Sequence, residues 1–225
     1  MTRRNPFPTA LPFLPEKRSL RTLRQAAAEC QGCDLYRNAT QTVFGDGDPH
    51  AELMFVGEQP GNDEDLQGKP FVGPSGRLLR KAAAEAGLDP DRIYITNVVK
   101  HFRWEPRGKR RIHKKPSEAQ MAACLPWLHA EIEQVRPRGL VCLGATAAQA
   151  LLGKDFRVSR QRGELVTSPL AELVLATVHP SAILRAPDDE TRALETRRFV
   201  EDLTVMARAL RRGRPRAAEV HAPLR

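Results

Sequence analysis

The 225-residue sequence has only four cysteines, no long apolar run and no internal repeat. Nothing in it approaches the 18 or more consecutive apolar residues of a membrane-spanning helix, so no membrane partner is expected. Arg3 and Arg4 precede an apolar stretch, as in an export signal, but Pro6, Pro8, Pro12 and Pro15 break the helix such a signal needs. Cys30, Cys33, Cys124 and Cys142 are too few for a disulfide scaffold at this length, and fit a reducing cytoplasm and a bound metal better.

What is present points to one folded domain. Apolar residues make up 41% and charged residues 28%, enough for a core and too apolar for a disordered chain. The length suits one domain with extensions: a Pro-rich N-terminal arm at residues 1–17, a domain at 18–212 and a basic tail at 213–225. The net charge of +9 favours an anionic partner, and nucleic acid suits the clustered excess better than an acidic metabolite does.

Short, nearly continuous apolar runs at Leu53 to Gly57, Ile93 to Val99, Leu140 to Gly144 and Leu173 to Val178 read as parallel strands covered on both faces. Helical patterns lie between and after them, at Gly76 to Ala86, Ser117 to Val135, Ala145 to Leu152 and Glu190 to Arg211, with Ser117 and Gln120 spaced as a capping box. The alternation predicts an α/β fold, a three-layer α/β/α sandwich around four parallel strands. Ligands of such sheets bind beyond the carboxyl ends of the strands, at Glu58, Asn97, Gly144 and His179 onward.

Those places hold suggestive residues. Gly57-Glu58-Gln59-Pro60-Gly61 follows the first strand, and Phe71 stands in a second Gly-flanked loop, Pro70 to Gly76. Glu58 sits just past a buried strand, where its desolvation and field can be controlled, and Phe71 offers a flat face for stacking a base; the plainer reading is an ordinary loop with solvated acids. Asn97 offers one donor and one acceptor, the pattern that reads a pyrimidine edge, although a strand-end Asn also bonds backbone locally. His179 ends the fourth strand at the same rim, where a structural histidine is the plainer reading. Arg103 to Lys115 has seven basic residues against one acid, so its net of +6 is two thirds of the chain's charge. Arg103, Arg107, Lys109, Arg110, Arg111, Lys114 and Lys115 are thus candidates for phosphate binding, unless the run is only a solvated loop. His113 lies among them, and like-charge repulsion would keep it neutral and nucleophilic near pH 7. Cys30-x-x-Cys33 with Cys124 and Cys142 favours a metal centre, with zinc and an iron-sulfur cluster both open, while Cys142 alone reads as a buried apolar residue.

GEQPGNDEDLQGKPFVGPSGRLL, TNVVKHF, KRRIHKKP and VHPSAILR together resemble the uracil-DNA glycosylase superfamily, within it the iron-sulfur family 4 branch and most closely its UdgX type. The likeness spans about Cys30 to Leu210. It implies a uracil-DNA glycosylase-like fold with a 4Fe-4S cluster on Cys30, Cys33, Cys124 and Cys142. It also implies that Gly57 and Gln59 cup uracil, that Phe71 stacks on it, that Asn97 reads its edge and that His179 contacts its carbonyl oxygen. Gln59 and the inserted basic loop are the features of the UdgX type, in which the histidine of that loop, here His113, attacks the sugar and leaves the protein attached to DNA. The resulting expectation is a monomeric cytoplasmic enzyme, active at the nucleoid, that excises uracil from DNA, single-stranded by preference. Its catalytic residues would be Glu58, His113 and His179, with phosphates on Lys109, Arg110, Arg111 and Lys114. The rival readings are a hydrolytic family 4 enzyme that turns over, a non-catalytic single-strand binding module and, from sheet architecture alone, a nucleotide hydrolase.

Overall fold

The computed structural model describes residues 9–212. The expected tail, 213–225, lies outside the described residues, as do the first eight residues of the expected arm. Where the described chain begins, Ala10 is buried and its N–H donates to the Ala123 carbonyl oxygen at 2.8 Å, which docks this end on the domain.

The elements are, in chain order, α1 (Leu20–Ala28), β1 (Asp46–Gly47), β2 (Leu53–Gly57), α2 (Asn62–Gln67), α3 (Pro74–Glu85), β3 (Ile93–Asn97), β4 (Trp104–Arg107), β5 (Arg110–His113), α4 (Glu118–Val135), β6 (Gly139–Leu143), α5 (Ala145–Leu152), α6 (Val158–Gln161), β7 (Leu165–Val166), β8 (Leu173–Thr177), α7 (Pro180–Leu184) and α8 (Asp189–Arg212). The main sheet runs β1-β3-β2-β6-β8-β7. Its four inner strands are parallel as expected, and two-residue antiparallel strands, absent from the sequence reading, extend both edges. Two residues carry no periodicity, so neither edge strand left a pattern to read.

Both faces of the sheet are covered. Met54, Val56, Leu140 and Cys142 pack on one side with Trp127 and Leu128 of α4 and Ala147 of α5. Leu53, Phe55 and Val141 pack on the other with Leu79 of α3 and Phe199 and Leu203 of α8. The period-two alternation of a pleated strand sends neighbouring apolar residues to opposite layers, which is why the strands read as unbroken apolar runs.

The ends of the elements differ slightly from the sequence reading. α3 starts at Pro74, because proline suits the first helical position behind the Gly73 cap. β3 stops at Asn97, where the chain leaves the sheet: Val98 and Val99 donate instead to the Gly57 and Glu58 carbonyl oxygens, at 2.9 and 3.0 Å. Ser117 caps α4 in the expected box with Gln120. The basic insert, expected as a loop, is a β4–β5 hairpin pairing Trp104 with His113 and Arg107 with Arg110. Its two-residue turn has Gly108 at φ +58° in the first position, the left-handed geometry that a twisted hairpin favours. β2 and β3 end in register at Gly57 and Asn97, and β6 and β8 at Leu143 and Thr177, so the chain leaves four adjacent strands on one rim.

Candidate active site

A cleft of about 720 Å³ opens over that rim, lined by Glu58, Gln59, Phe71, Asn97, His113 and His179, among others. Its floor is made by close backbone approach. A Cβ on Gly57 would stand 2.3 Å from Asn97 Oδ1 and 2.7 Å from the Phe71 ring, so only glycine leaves both side chains in place. Phe71 holds φ +56°, a conformation non-glycine residues seldom adopt, and is fixed there by its carbonyl oxygen, which accepts from Arg80 at 2.8 Å. Its ring centroid lies 5.8 Å from that of His179, tilted by 32°.

Asn97 is 2% exposed, and its Oδ1 has no hydrogen-bond partner among the described residues. A buried acceptor without a partner is costly and marks a place where a ligand donor fits. Behind it lies an ion pair between Lys100 and Glu131, both buried. Lys100 Nζ also donates to Thr96 Oγ1 and to the Asn97 carbonyl oxygen, each at 2.7 Å. The Glu131 carboxylate accepts in addition from Tyr94 at 3.0 Å, Thr96 at 3.0 Å and the Gly45 N–H at 2.9 Å. Every polar atom is engaged, which makes this a stiff mount for the end of β3.

His179 caps α7, and its Nδ1 accepts from the Ser181 N–H at 3.1 Å, leaving the proton on Nε2. Burial, with Arg185 and His113 adding to it, lowers its pKa to about 4, so the ring is a neutral donor at pH 7. Glu58 Oε2 accepts from Thr146 at 2.5 Å, and Oε1 lies 3.7 Å from His113 Nε2.

The hairpin hangs on Gln59. Its Oε1 accepts from the Arg103 N–H at 2.9 Å, and its Nε2 donates to the Lys114 carbonyl oxygen at 2.9 Å and to His113 Nε2 at 2.8 Å. The side chain expected to cup a base thus secures the insert. Because the Gln59 nitrogen is the donor, His113 Nε2 carries a lone pair and the ring proton sits on Nδ1. Partial burial is the main cause holding the His113 pKa below its ordinary value; Arg185 acts in the same direction and Glu58 opposes both. The sequence reading reached the same direction through repulsion within the insert, whereas burial leads and the cation is Arg185.

Two of the four expected phosphate ligands are engaged within the protein. Arg111 pairs with buried Asp65 at 2.6 Å, bonds Asn62 at 2.9 Å and lies 5.5 Å over both the Phe102 and Trp104 rings. Lys114 meets Glu105 at 2.9 Å. Lys109 and Arg110 are exposed at the hairpin turn.

The four cysteines are unpaired and share one apolar cluster: Cys30, Cys124 and Cys142 are buried within it, and Cys33 packs against it. Their sulfurs accept from N–H groups: Cys30 from Gly32 at 3.5 Å and Trp127 at 3.2 Å, and Cys124 from the Lys100 backbone at 3.3 Å. Among the described residues no three His, Cys, Asp or Glu converge on a single ion. Four thiols are the donor set of an iron-sulfur cluster, which takes one thiolate per iron, and N–H donors to sulfur suit it.

Sequence reasoning missed three residues of the cleft. Glu64 of α2 accepts from the Gly61 N–H at 3.0 Å and the Gly73 N–H at 2.9 Å, tying the two glycine turns together. Thr146 holds Glu58, and Arg185 faces both histidines. Thr146 was legible as a hydroxyl just past a strand-end glycine; Glu64 looked like one of three consecutive acids in a polar stretch.

The model of the Uracil DNA glycosylase superfamily matches residues 44–204. The chain is 36% identical over 178 residues to a type-4 uracil-DNA glycosylase of Sulfurisphaera tokodaii, covering 76% of this chain and 78% of that one. It is 37% identical to the type-4 enzyme of Thermotoga maritima, covering 74% and 83%, and 38% identical to that of Archaeoglobus fulgidus, covering 75% and 85%. On the fold, the cleft and these matches, the chain belongs to the uracil DNA glycosylase superfamily.

Proposed function

We propose that the protein excises uracil from DNA and that His113 then captures the abasic sugar. The observation that carries the first step is the buried Oδ1 of Asn97, partnerless among the described residues, beside the Phe71 ring. Uracil presents N3–H and O4, which match the acceptor and donor of an amide; cytosine presents the reverse pattern and leaves both unmatched. Phe71 stacks on the base, and neutral His179 donates from Nε2 to its other carbonyl oxygen. Single strands are the favoured substrate, because a base already out of a duplex avoids an unstacking cost of a few kcal/mol.

The C1'–N1 bond breaks with its electron pair going to uracil. His179 stabilises that anion, an effect worth about 3 kcal/mol for a well-placed donor. Glu58 faces the cationic sugar. His113 Nε2, released from Gln59, forms the new bond to C1', and the positive charge so placed on the imidazole lies beside Glu58. Attack by a fixed nitrogen rather than diffusing water makes the product a protein–DNA adduct and limits each molecule to one turnover. Cys30, Cys33, Cys124 and Cys142 would hold the 4Fe-4S cluster, which when bound supplies a covalent tie between the end of α1, α4 and β6.

The test is a uracil-containing single strand mixed with the protein, boiled in detergent, separated on a denaturing gel and weighed as an intact adduct. A shifted band whose mass equals protein plus strand less uracil is expected, and His113→Ser should lose the band while uracil is still released. Free uracil in excess of protein, without a shifted band, would establish the hydrolytic reading. Equal binding of thymine and uracil strands, without release, would establish a binding module.

A further inference from the structure

Building on that reading of the cleft, we propose that Thr146 is a positioning residue that fixes the Glu58 carboxylate against the sugar. Among the described residues, the bond from Thr146 Oγ1 to Oε2 is the one side-chain hydrogen bond that Glu58 makes. Oε1 is thereby left free to face the cleft, 3.7 Å from His113 Nε2. Without the hydroxyl, the carboxylate would be free to turn about its last two side-chain bonds.

The surroundings of Thr146 show that the hydroxyl is not there for packing. α5 reads ATAAQALL, and Ala147 and Ala148 beside it are wholly buried in the apolar cluster. Thr146 itself is 6% exposed. Valine has the same branched shape without a polar atom, and a hydroxyl buried at such a place needs a partner. The partner is Glu58. The first turn of α5 is also held in place, because Gly144 before it has φ +90°, and a Cβ there would stand 3.0 Å from the His179 Cβ. Thr146 is thus mounted on the same rigid turn that adjoins His179, which sets the carboxylate and the imidazole relative to one another.

A carboxylate displaced by about 1 Å costs on the order of 100-fold in rate without altering how the strand is held. Single-turnover uracil release by the full chain, measured across strand concentrations, tests this. Thr146→Val should lower the maximal rate by about 10- to 100-fold and leave the half-saturating strand concentration within about twofold, whereas Thr146→Ser should stay within about threefold of the unaltered protein. In a Glu58→Ala background, Thr146→Val should have no further effect, because its role passes through the carboxylate. The proposal is overturned if Val slows release equally in both backgrounds, if Ser is as slow as Val, or if Val is within about twofold of the unaltered protein. Unaltered protein that releases no uracil overturns the glycosylase reading and this inference with it, and is told apart by that control alone.

Discussion

On the sheet side of the cleft, Gly57, Phe71 and Asn97 are buried, and Asn97 rests on the Lys100–Glu131 pair beneath the end of β3. On the opposite side, His113 rides a two-stranded hairpin, its side chain 51% exposed, and is tied down chiefly through Gln59 and Arg111. The first wall is a preformed mould whose parts cannot move independently. The second is a two-stranded flap with an exposed turn, attached to the domain through a few polar side chains, Gln59 and the Arg111–Asp65 pair. On the proposed function, recognition falls to the first wall and capture to the second, so substitutions should separate them.

Substitutions in the mould should have the largest effects. Lys100→Met leaves the Glu131 carboxylate buried without its cation, and should destabilise the fold by about 3–5 kcal/mol, seen in a denaturant titration. A loss below about 1 kcal/mol would show that this wall is not stiffened by the pair. Gly57→Ala should keep the fold but push Asn97 and Phe71 aside, lowering uracil release at least about 100-fold in single-turnover assays.

The flap should respond more mildly and differently. Gln59→Ala removes the tie between the loop after β2 and the hairpin, and should cut the yield of attached DNA about tenfold while uracil release changes by less than about threefold. Equal losses in both would mean the two walls act as one. The smallest effect concerns pH. His113 is held below its ordinary pKa, so its neutral, attacking form survives as pH falls through about 6.5, and the adduct rate should decline only below that. Arg185→Ala removes a cation that lowers the pKa of His113 and of His179, so the acidic limb of the adduct-rate profile should move to higher pH. An unmoved limb would place the titrating group elsewhere.

The mould was more legible than the flap for physical reasons. Each strand of the parallel sheet is a continuous apolar run, and a residue at its carboxyl end has few places to go but the rim, so Glu58, Asn97 and His179 could be picked out one by one. The hairpin hid in its own composition, because a segment dominated by charge shows no alternation of apolar and polar residues. Arg111 shows the same limit. Among its neighbours it is one more cation, and only the fold brings Asp65, Asn62 and the Phe102 and Trp104 rings around it. α2 escaped as well, being a short helix in a polar stretch.

The amino-acid order alone determined the parallel α/β sheet, the rim at which chemistry can occur and the residue types waiting there, since these depend on short-range periodicity and on where strands must end. The tertiary structure decided the partnerships: Gln59 with the hairpin, Thr146 with Glu58, Lys100 with Glu131, and an acceptor on Asn97 kept without any among the described residues. Those pairs lie 31 to 88 residues apart in the chain, apart from the partnerless one, and no local pattern records which distant groups a closed core will press together.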